Sequence, residues 1–331
     1  MRSIFKPIMR MLPSCLLAGA PAVAIPAALA TALSAASPAH SEPKTLHIGY
    51  QKYGTLVFEK ARGTLEKRLA PLGVTVNWTE FLGGPALMEA MGAGSIDFGI
   101  AGDAPPIFAQ AGGVDLAYIG VEPPSPHGEA IIALQSSPIR TVADLRGKRI
   151  ALNKGSNVHN LLVRVLAANG LALADVQPVY LKPSDARAAF ENGSVDAWAI
   201  WDPYLAAAET SLPTRKIADG LGKDGRVIDE NREYFLAARD YARANHDIIA
   251  TLMQDLAQTE AYAAGHRADV VSLLAPEMRM DPAAVKRAID RLPFGVAPVD
   301  AANFASQQDI ADLFASLHLI PRKIDVGQAK I

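Results

Sequence analysis

The stretch GSIDFGIAGDAP, residues 94–105, is written again as GSVDAWAIWDPY, residues 193–204, and this duplication limits the possible folds more than any other feature of the chain. Asp97 and Asp103 recur as Asp196 and Asp202, and the segments before them, ALMEAMGAG and DARAAFENG, occupy equivalent helical positions. The likeness extends upstream. LHIGYQKYGTLVFEKARGTLEKRL and KRIALNKGSNVHNLLVRVLAANG each read as a strand, a loop and an amphipathic helix. Each is followed by a second strand, VTVNWTEF or VQPVYL, then a helix and the duplicated strand. Two copies of a βαβαβ unit account for this order.

Strands alternating with helices of this length predict an α/β protein with mainly parallel sheets flanked by helices. In such sheets ligands collect beyond the carboxyl ends of the strands, where loops meet the following helices. Pro85, Pro105 and Pro203 suit first helical turns, Asp103 and Asp202 suit N-caps, and Ser156 or Asn157 suits the cap of a helix ending near Gly170. If two such lobes face each other, helix N-termini point into one cleft from both sides. Their free N–H groups and dipoles favour an anion.

The N-terminal segment has a different character. MRSIFKPIMR is a positively charged start, a long Ala-rich apolar stretch follows, and Ala39-His40-Ser41 places small residues for cleavage before Glu42. Residues 1–41 therefore read as a secretory signal peptide. Arg2, Lys6 and Arg10 are its charges, so removal leaves a chain more acidic than the formal −2 of the whole sequence. A basic nucleic-acid surface is not expected. Cys15, the one cysteine of the sequence, falls in this segment. The mature protein would then have no disulfide, cysteine nucleophile or thiolate metal site, and the spacing of its histidines indicates no structural metal. No cofactor is expected.

LHIGYQKYGTL, GSIDFGIAGDAPPIFAQAGG, YIGVEPPSPHGEAIIA, TVADLRGKRIALNKGSNVHNLLVRVL, DARAAFENGSVDAWAIWDPYLAAA and LIPRKIDV together resemble the periplasmic aliphatic-sulfonate-binding proteins of bacterial ABC importers. Related taurine- and nitrate-type binders share looser versions of these motifs. The resemblance covers essentially all of the chain after residue 41. It implies a two-lobed periplasmic binding protein, monomeric, that captures an alkanesulfonate in the interlobe cleft and passes it to a membrane permease with its ATPase. It also implies lobes that are not consecutive halves, with residues 42–125 and 230–331 in one and 126–229 in the other.

A sulfonate is permanently ionised, with three acceptor oxygens and no proton to donate, so donors are wanted. Backbone N–H groups near Gly83, Gly84 and Gly102 can approach it closely, and Gln51, Ser156 and Asn157 can add side-chain donors. The glycines equally suit tight turns, and Ser156 and Asn157 equally suit caps. His159 reads either as a donor or as a packing residue, Lys52 as a source of charge or a solvated loop residue, and Trp201 as a cover for the alkyl chain or as core. Trp198 reads as packing. Asp103, Asp202 and Glu122 would repel a sulfonate, so the two aspartates read first as helix caps; one that reached the cleft would favour a substrate with an amine or hydroxyl at its far end, such as taurine. Tyr53 departs from the resemblance, which expects a small residue there. The same scaffold can host enzymes, but no nucleophile, base and orienting group recur at a recognisable spacing.

Overall fold

The computed structural model describes residues 44–331. The expected signal peptide, with Cys15 and the Ala39-His40-Ser41 cleavage signal, lies outside the described residues. From its start the chain forms β1 (Lys44–Tyr50), α1 (Thr55–Arg62), α2 (Thr64–Leu69), β2 (Val74–Glu80), α3 (Gly84–Gly92), β3 (Phe98–Gly102), α4 (Ala104–Ala111) and β4 (Leu116–Val121). Next come β5 (Glu129–Leu134), β6 (Arg149–Leu152), α5 (Asn157–Ala168), β7 (Gln177–Tyr180), α6 (Pro183–Glu191), β8 (Ala197–Trp201), α7 (Tyr204–Ser211) and β9 (Thr214–Asp219). The last part holds β10 (Glu233–Ala238), α8 (Arg239–Ala244), α9 (His246–Gly265), α10 (Arg267–Met278), α11 (Pro282–Arg291) and α12 (Ala301–Ser316).

Two five-stranded sheets result, ordered β2-β1-β3-β10-β4 and β7-β6-β8-β5-β9. The orders are the same once each strand is matched to its repeat, with β10 in the first sheet taking the place of β5 in the second. These two strands run antiparallel to both neighbours, so each sheet is mixed. The local repeat foretold only the parallel members, because β5 and β10 enter their sheets from the opposite lobe. The chain changes sheets between Val121 and Glu129 and returns between Asp219 and Glu233.

Both central strands are buried along their length: Phe98–Gly102 and Ala197–Trp201 expose no residue to solvent. That explains their continuous apolar runs, since helices cover both faces. β10 shows how one strand serves two cores. Phe235 and Ala237 pack with residues of α1, α9 and α10, while Tyr234 and Leu236 pack with residues of α3, α4 and α12. In the second lobe α5 buries Val158, Leu161, Leu162, Val165 and Leu166, a stripe at helical spacing against Ile150 and Trp198. Each such side chain contributes on the order of 1.5–3 kcal/mol by leaving water.

The first aspartate of each repeat clips its sheet together. Asp97 Oδ2 accepts from the His47 N–H at 2.8 Å, and Asp196 Oδ2 accepts from the Arg149 N–H at the same distance. Arg149 also pairs with Asp196 through its guanidinium, which, through hydrogen bonding above all, holds that carboxyl below the usual range. Their duplication is structural.

Candidate functional site

The carboxyl ends of β1, β3, β6 and β8 bring the predicted residues to the contact between the lobes. Gly102 closes β3, and the nearest atoms to a Cβ placed on it all belong to Asn157 of the other lobe, the closest at 3.0 Å. A Cβ on Gly83 would meet Asn153 Oδ1 at 3.4 Å and the Trp201 ring at 3.6 Å. Gly84, the first residue of α3, packs on Pro105 at the start of α4 so tightly that a Cβ would come within 2.6 Å of the ring. Glycine is thus required at Gly84 and Gly102 for close approach, whatever else the backbone does there.

Three helices start at this contact without a side-chain cap. Gly83 precedes α3, Asp103 precedes α4 and Ser156 precedes α5, and none accepts a capping hydrogen bond. α1, α2, α6, α8, α9 and α10 also lack a side-chain cap, while α11 and α12 are capped by Asp281 and Asp300. An uncapped N-terminus keeps its free N–H donors and a positive dipole end for another acceptor, but Pro85 in α3 and Pro105 and Pro106 in α4 carry no N–H, so the donors come chiefly from α3 and α5. The starts of α3 and α4 come from one lobe and that of α5 from the other. Beside them a cavity of about 330 Å³ is lined by Pro85, Met88, Pro105 and Phe108 of the first lobe and by Lys154 and Gly155 of the second.

The side chains divide into those that stay available and those that are committed. Gln51 is buried and its Nε2 donates to Ile100 O at 3.0 Å, tying β1 to β3. Ser156 sits at the N-cap position, yet its hydroxyl donates to Asn153 O at 2.8 Å and caps nothing. Asn157 is not free to donate to a ligand: its Nδ2 gives hydrogen bonds to Glu129 Oε2 at 2.7 Å and Asn231 Oδ1 at 3.0 Å, which use both amide hydrogens. Lys52 is turned away as well, its Nζ donating to Met278 O at 2.9 Å. Trp201 is buried and edge-on to Tyr204, with its ring against Gly83, whereas Trp198 packs on Phe190.

His159 belongs to an aromatic cluster that spans the lobes. It lies against Phe108 and Phe314 of the first lobe and Tyr180 of the second, at centroid distances of 6.1, 5.8 and 5.7 Å. Its Nδ1 faces the Gly155 N–H at 3.3 Å and its Nε2 has no partner. Burial, then the charge of Lys154, pushes the imidazole down to about 4, so it is neutral in this arrangement.

Asp103 and Asp202 are equivalent in the repeat and different in use. Asp202 is fully buried, accepts from the Ala206 N–H at 2.9 Å, and lies 3.3 Å from the Arg291 guanidinium through both oxygens. It caps α7 from one residue before the N-cap position, which Pro203 holds. Burial raises it to about 7 against the pull of Arg291. Asp103 stands at the N-cap position of α4 and does not cap; it faces Asn160 and Asp229 instead. The expected capping role fails there because the buried amide of Asn160, from the facing helix, draws the carboxylate across the lobe contact. Glu122 is structural: it accepts from the Thr55 N–H at 3.0 Å, and its carboxyl and that of Glu260 both lie within hydrogen-bond distance of the Thr55 hydroxyl. Tyr53 is buried, with its hydroxyl 3.3 Å from Ser125 Oγ at the lobe crossing.

With this geometry in place, the likeness to known proteins is specific. The family model described as NMT1/THI5 like matches residues 72–269. An aliphatic sulfonates-binding protein of Escherichia coli (strain K12) is 44% identical over 292 residues, covering 88% of this chain and 89% of that protein. The chain belongs to the family of aliphatic-sulfonate-binding proteins. Solved members of that family agree in fold. The alkanesulfonate-binding protein SsuA from Xanthomonas axonopodis pv. citri, bound to MOPS, superposes with a TM-score of 0.82 at 43% identity, over 88% of this chain and 99% of its own. The periplasmic aliphatic sulphonate binding protein SsuA from Escherichia coli gives a TM-score of 0.77 at 44% identity, over 87% and 92%. Sequence reasoning missed Asn153, Asn160, Asp229, Asn231 and Arg291, all of which touch the predicted residues; Asp229 and Asn231 lie in the segment between β9 and β10.

Proposed function

We propose that this protein is the substrate-binding component of an ABC importer, that it works in the periplasm, and that it captures alkanesulfonates between its two lobes. The observation that carries the reading is the meeting of uncapped helix starts from both lobes at a glycine-lined contact. A sulfonate head supplies three acceptors to such donors and needs no counter-charge, since the N–H dipoles provide it. The organic tail takes the adjoining cavity, whose lining includes Pro85, Met88, Pro105 and Phe108 together with Glu89 and Lys154. Sulfonate-binding relatives, one of them holding MOPS, itself an alkanesulfonate, support the same ligand class. The permease and its ATPase are the partners this role requires, and the protein acts as a monomeric binder with no turnover of its ligand.

Thermal unfolding in a sulfonate-free buffer tests this. Hexanesulfonate at about 100 times its Kd adds about 2.7 kcal/mol and raises the melting temperature by several degrees; sulfate and nitrate leave it nearly unchanged. A shift with nitrate alone, or none with any sulfonate, contradicts the reading. Export is checked by N-terminal sequencing of periplasmic material, which should begin near Glu42.

Selectivity follows from Asp202. Its oxygens are taken by Ala206 and Arg291, so it offers no acceptor to a substrate amine. Calorimetry on Asp202→Asn should give unchanged ratios of taurine to hexanesulfonate affinity. A selective loss of taurine binding by a factor of about ten or more would assign Asp202 to the ligand instead.

A further inference from the structure

Four carboxylates are buried where the lobes meet: Asp103, Glu233, Glu129 and Asp229 are 3%, 6%, 0% and 3% exposed. Asp103, at the start of α4, and Glu233, opening β10, belong to the first lobe. Glu129 opens β5 of the second, and Asp229 is anchored there by its N–H to Gly220 O at 3.1 Å. Asn160, on α5, donates from the same Nδ2 to Asp103 Oδ2 at 3.4 Å and to Asp229 Oδ2 at 3.0 Å. Carboxyl groups from opposite lobes therefore converge on one amide. Among the described residues Asp103 Oδ1 and Glu129 Oε1 have no hydrogen-bond partner.

The surrounding charges do not neutralise this group. Arg164, on α5, faces Asp103 and Asp229 but also donates to Asp309 at 2.7 Å. Glu230, itself paired with Arg232, lies beside Asp229, and Glu122, whose carboxyl burial raises to about 7, lies near Glu233. Tyr118 and Tyr234 are the neutral phenols near Asp103. Burial first, then Asp229, raises Asp103; burial raises Asp229 to about 6; Glu129 and Glu233 are raised too, by burial and then by neighbouring carboxylates. Carboxylates this close, with little water, cannot all be ionised.

We propose that closing the lobes takes up protons from solvent, because Asp103 and Asp229 approach as carboxylates from opposite lobes and meet on a shared proton beside Asn160. Ligand capture inherits this linkage, which in that respect rests on the sulfonate-binding reading. The sign follows from comparing states. With the lobes apart, Asp103 regains water and ionises in the ordinary carboxylate range; with them closed it is raised. Closure thus binds protons at neutral pH and is favoured as pH falls from about 8 to about 6. His159 works the other way. Its interlobe stack holds it neutral down to about 4, so below its ordinary value of roughly 6.5 closure expels a proton from it, and affinity levels off or declines there.

Calorimetry of hexanesulfonate at about pH 7, in phosphate and in Tris, tests the proposal, since the two buffers differ in ionisation enthalpy. Uptake of roughly half a proton per ligand is expected, with affinity rising about 3- to 10-fold between pH 8 and pH 6. Asp229→Asn, which keeps an acceptor for Asn160 and removes one charge, should clearly lower the uptake and make the pH profile shallower, with burial still raising Asp103. Binding of hexanesulfonate with the same observed enthalpy in both buffers overturns the proposal. If the folded protein does not bind hexanesulfonate, the sulfonate reading has failed, and scattering from the ligand-free protein then decides on closure alone. A smaller radius near pH 6 than near pH 8, lessened in Asp229→Asn, supports the proposal, and a constant radius overturns it.

Discussion

A Gly102→Val variant is expected to bind alkanesulfonates about 10- to 100-fold more weakly than the wild type while unfolding at nearly the same temperature without ligand. A Cβ at this position already comes within 3.0 Å of Asn157 Cβ and 3.2 Å of its Cγ, and the branched methyls of valine reach further. Asn157 cannot swing aside cheaply, because Glu129 and Asn231 hold its amide. Within its own lobe Gly102 ends a strand paired with β10, where extended backbone suits valine. The clash therefore falls on the approach of the lobes and not on the folding of either. Calorimetry with hexanesulfonate, beside unfolding of the ligand-free variant, separates the two effects. Wild-type affinity in a normally folded variant would mean that the bound lobes do not meet at Gly102.

Arg291→Ala is the substitution with the largest expected cost in stability, about 3 kcal/mol near pH 8. Arg291, at the end of α11, is the cation that reaches fully buried Asp202 and also pairs with Glu209 of α7. Its loss leaves Asp202 with the Ala206 N–H and no counter-charge, while Glu209 keeps Arg287 at 2.6 Å. The penalty should shrink in acid. Burial already raises Asp202 to about 7 with Arg291 in place, and removing the cation raises it further. A carboxyl raised on folding binds a proton more tightly in the folded state, so its contribution is retained below the ordinary carboxylate range and lost as pH rises through the folded value. Urea unfolding at about pH 8 and about pH 5.5 should therefore show the variant recovering most of its deficit at the lower pH. An equal deficit at both would mean that Asp202 does not carry the effect.

The two-sheet plan was legible in the sequence because it rests on local patterns. The recurrence of strand, loop and helix predicted equivalent lobes, and the apolar runs Phe98–Gly102 and Ala197–Trp201 announced strands buried on both faces. Asp97 and Asp196 also behave alike, since each acts within its own repeat. Asp103 and Asp202 do not, and the reason is long-range. Arg291, which pairs with Asp202, comes from α11, and Asp229, which faces Asp103, comes from the crossing segment; neither belongs to the duplicated units. Asn157 is misread for the same cause, as its partners Glu129 and Asn231 lie at either end of the second lobe's excursion, far from it in sequence. His159 gave no local sign that Phe108 and Phe314 would enclose it from the other lobe.

A crystal structure with hexanesulfonate bound tests the central claim most directly. The sulfonate is predicted to sit where α3 and α5 begin, with its oxygens within about 3 Å of main-chain N–H groups from both lobes and its alkyl chain directed along Pro85 and Phe108 toward the adjoining cavity. A sulfonate that touched one lobe only, or that was held by exposed lysines such as Lys154 away from these helix starts, would contradict it.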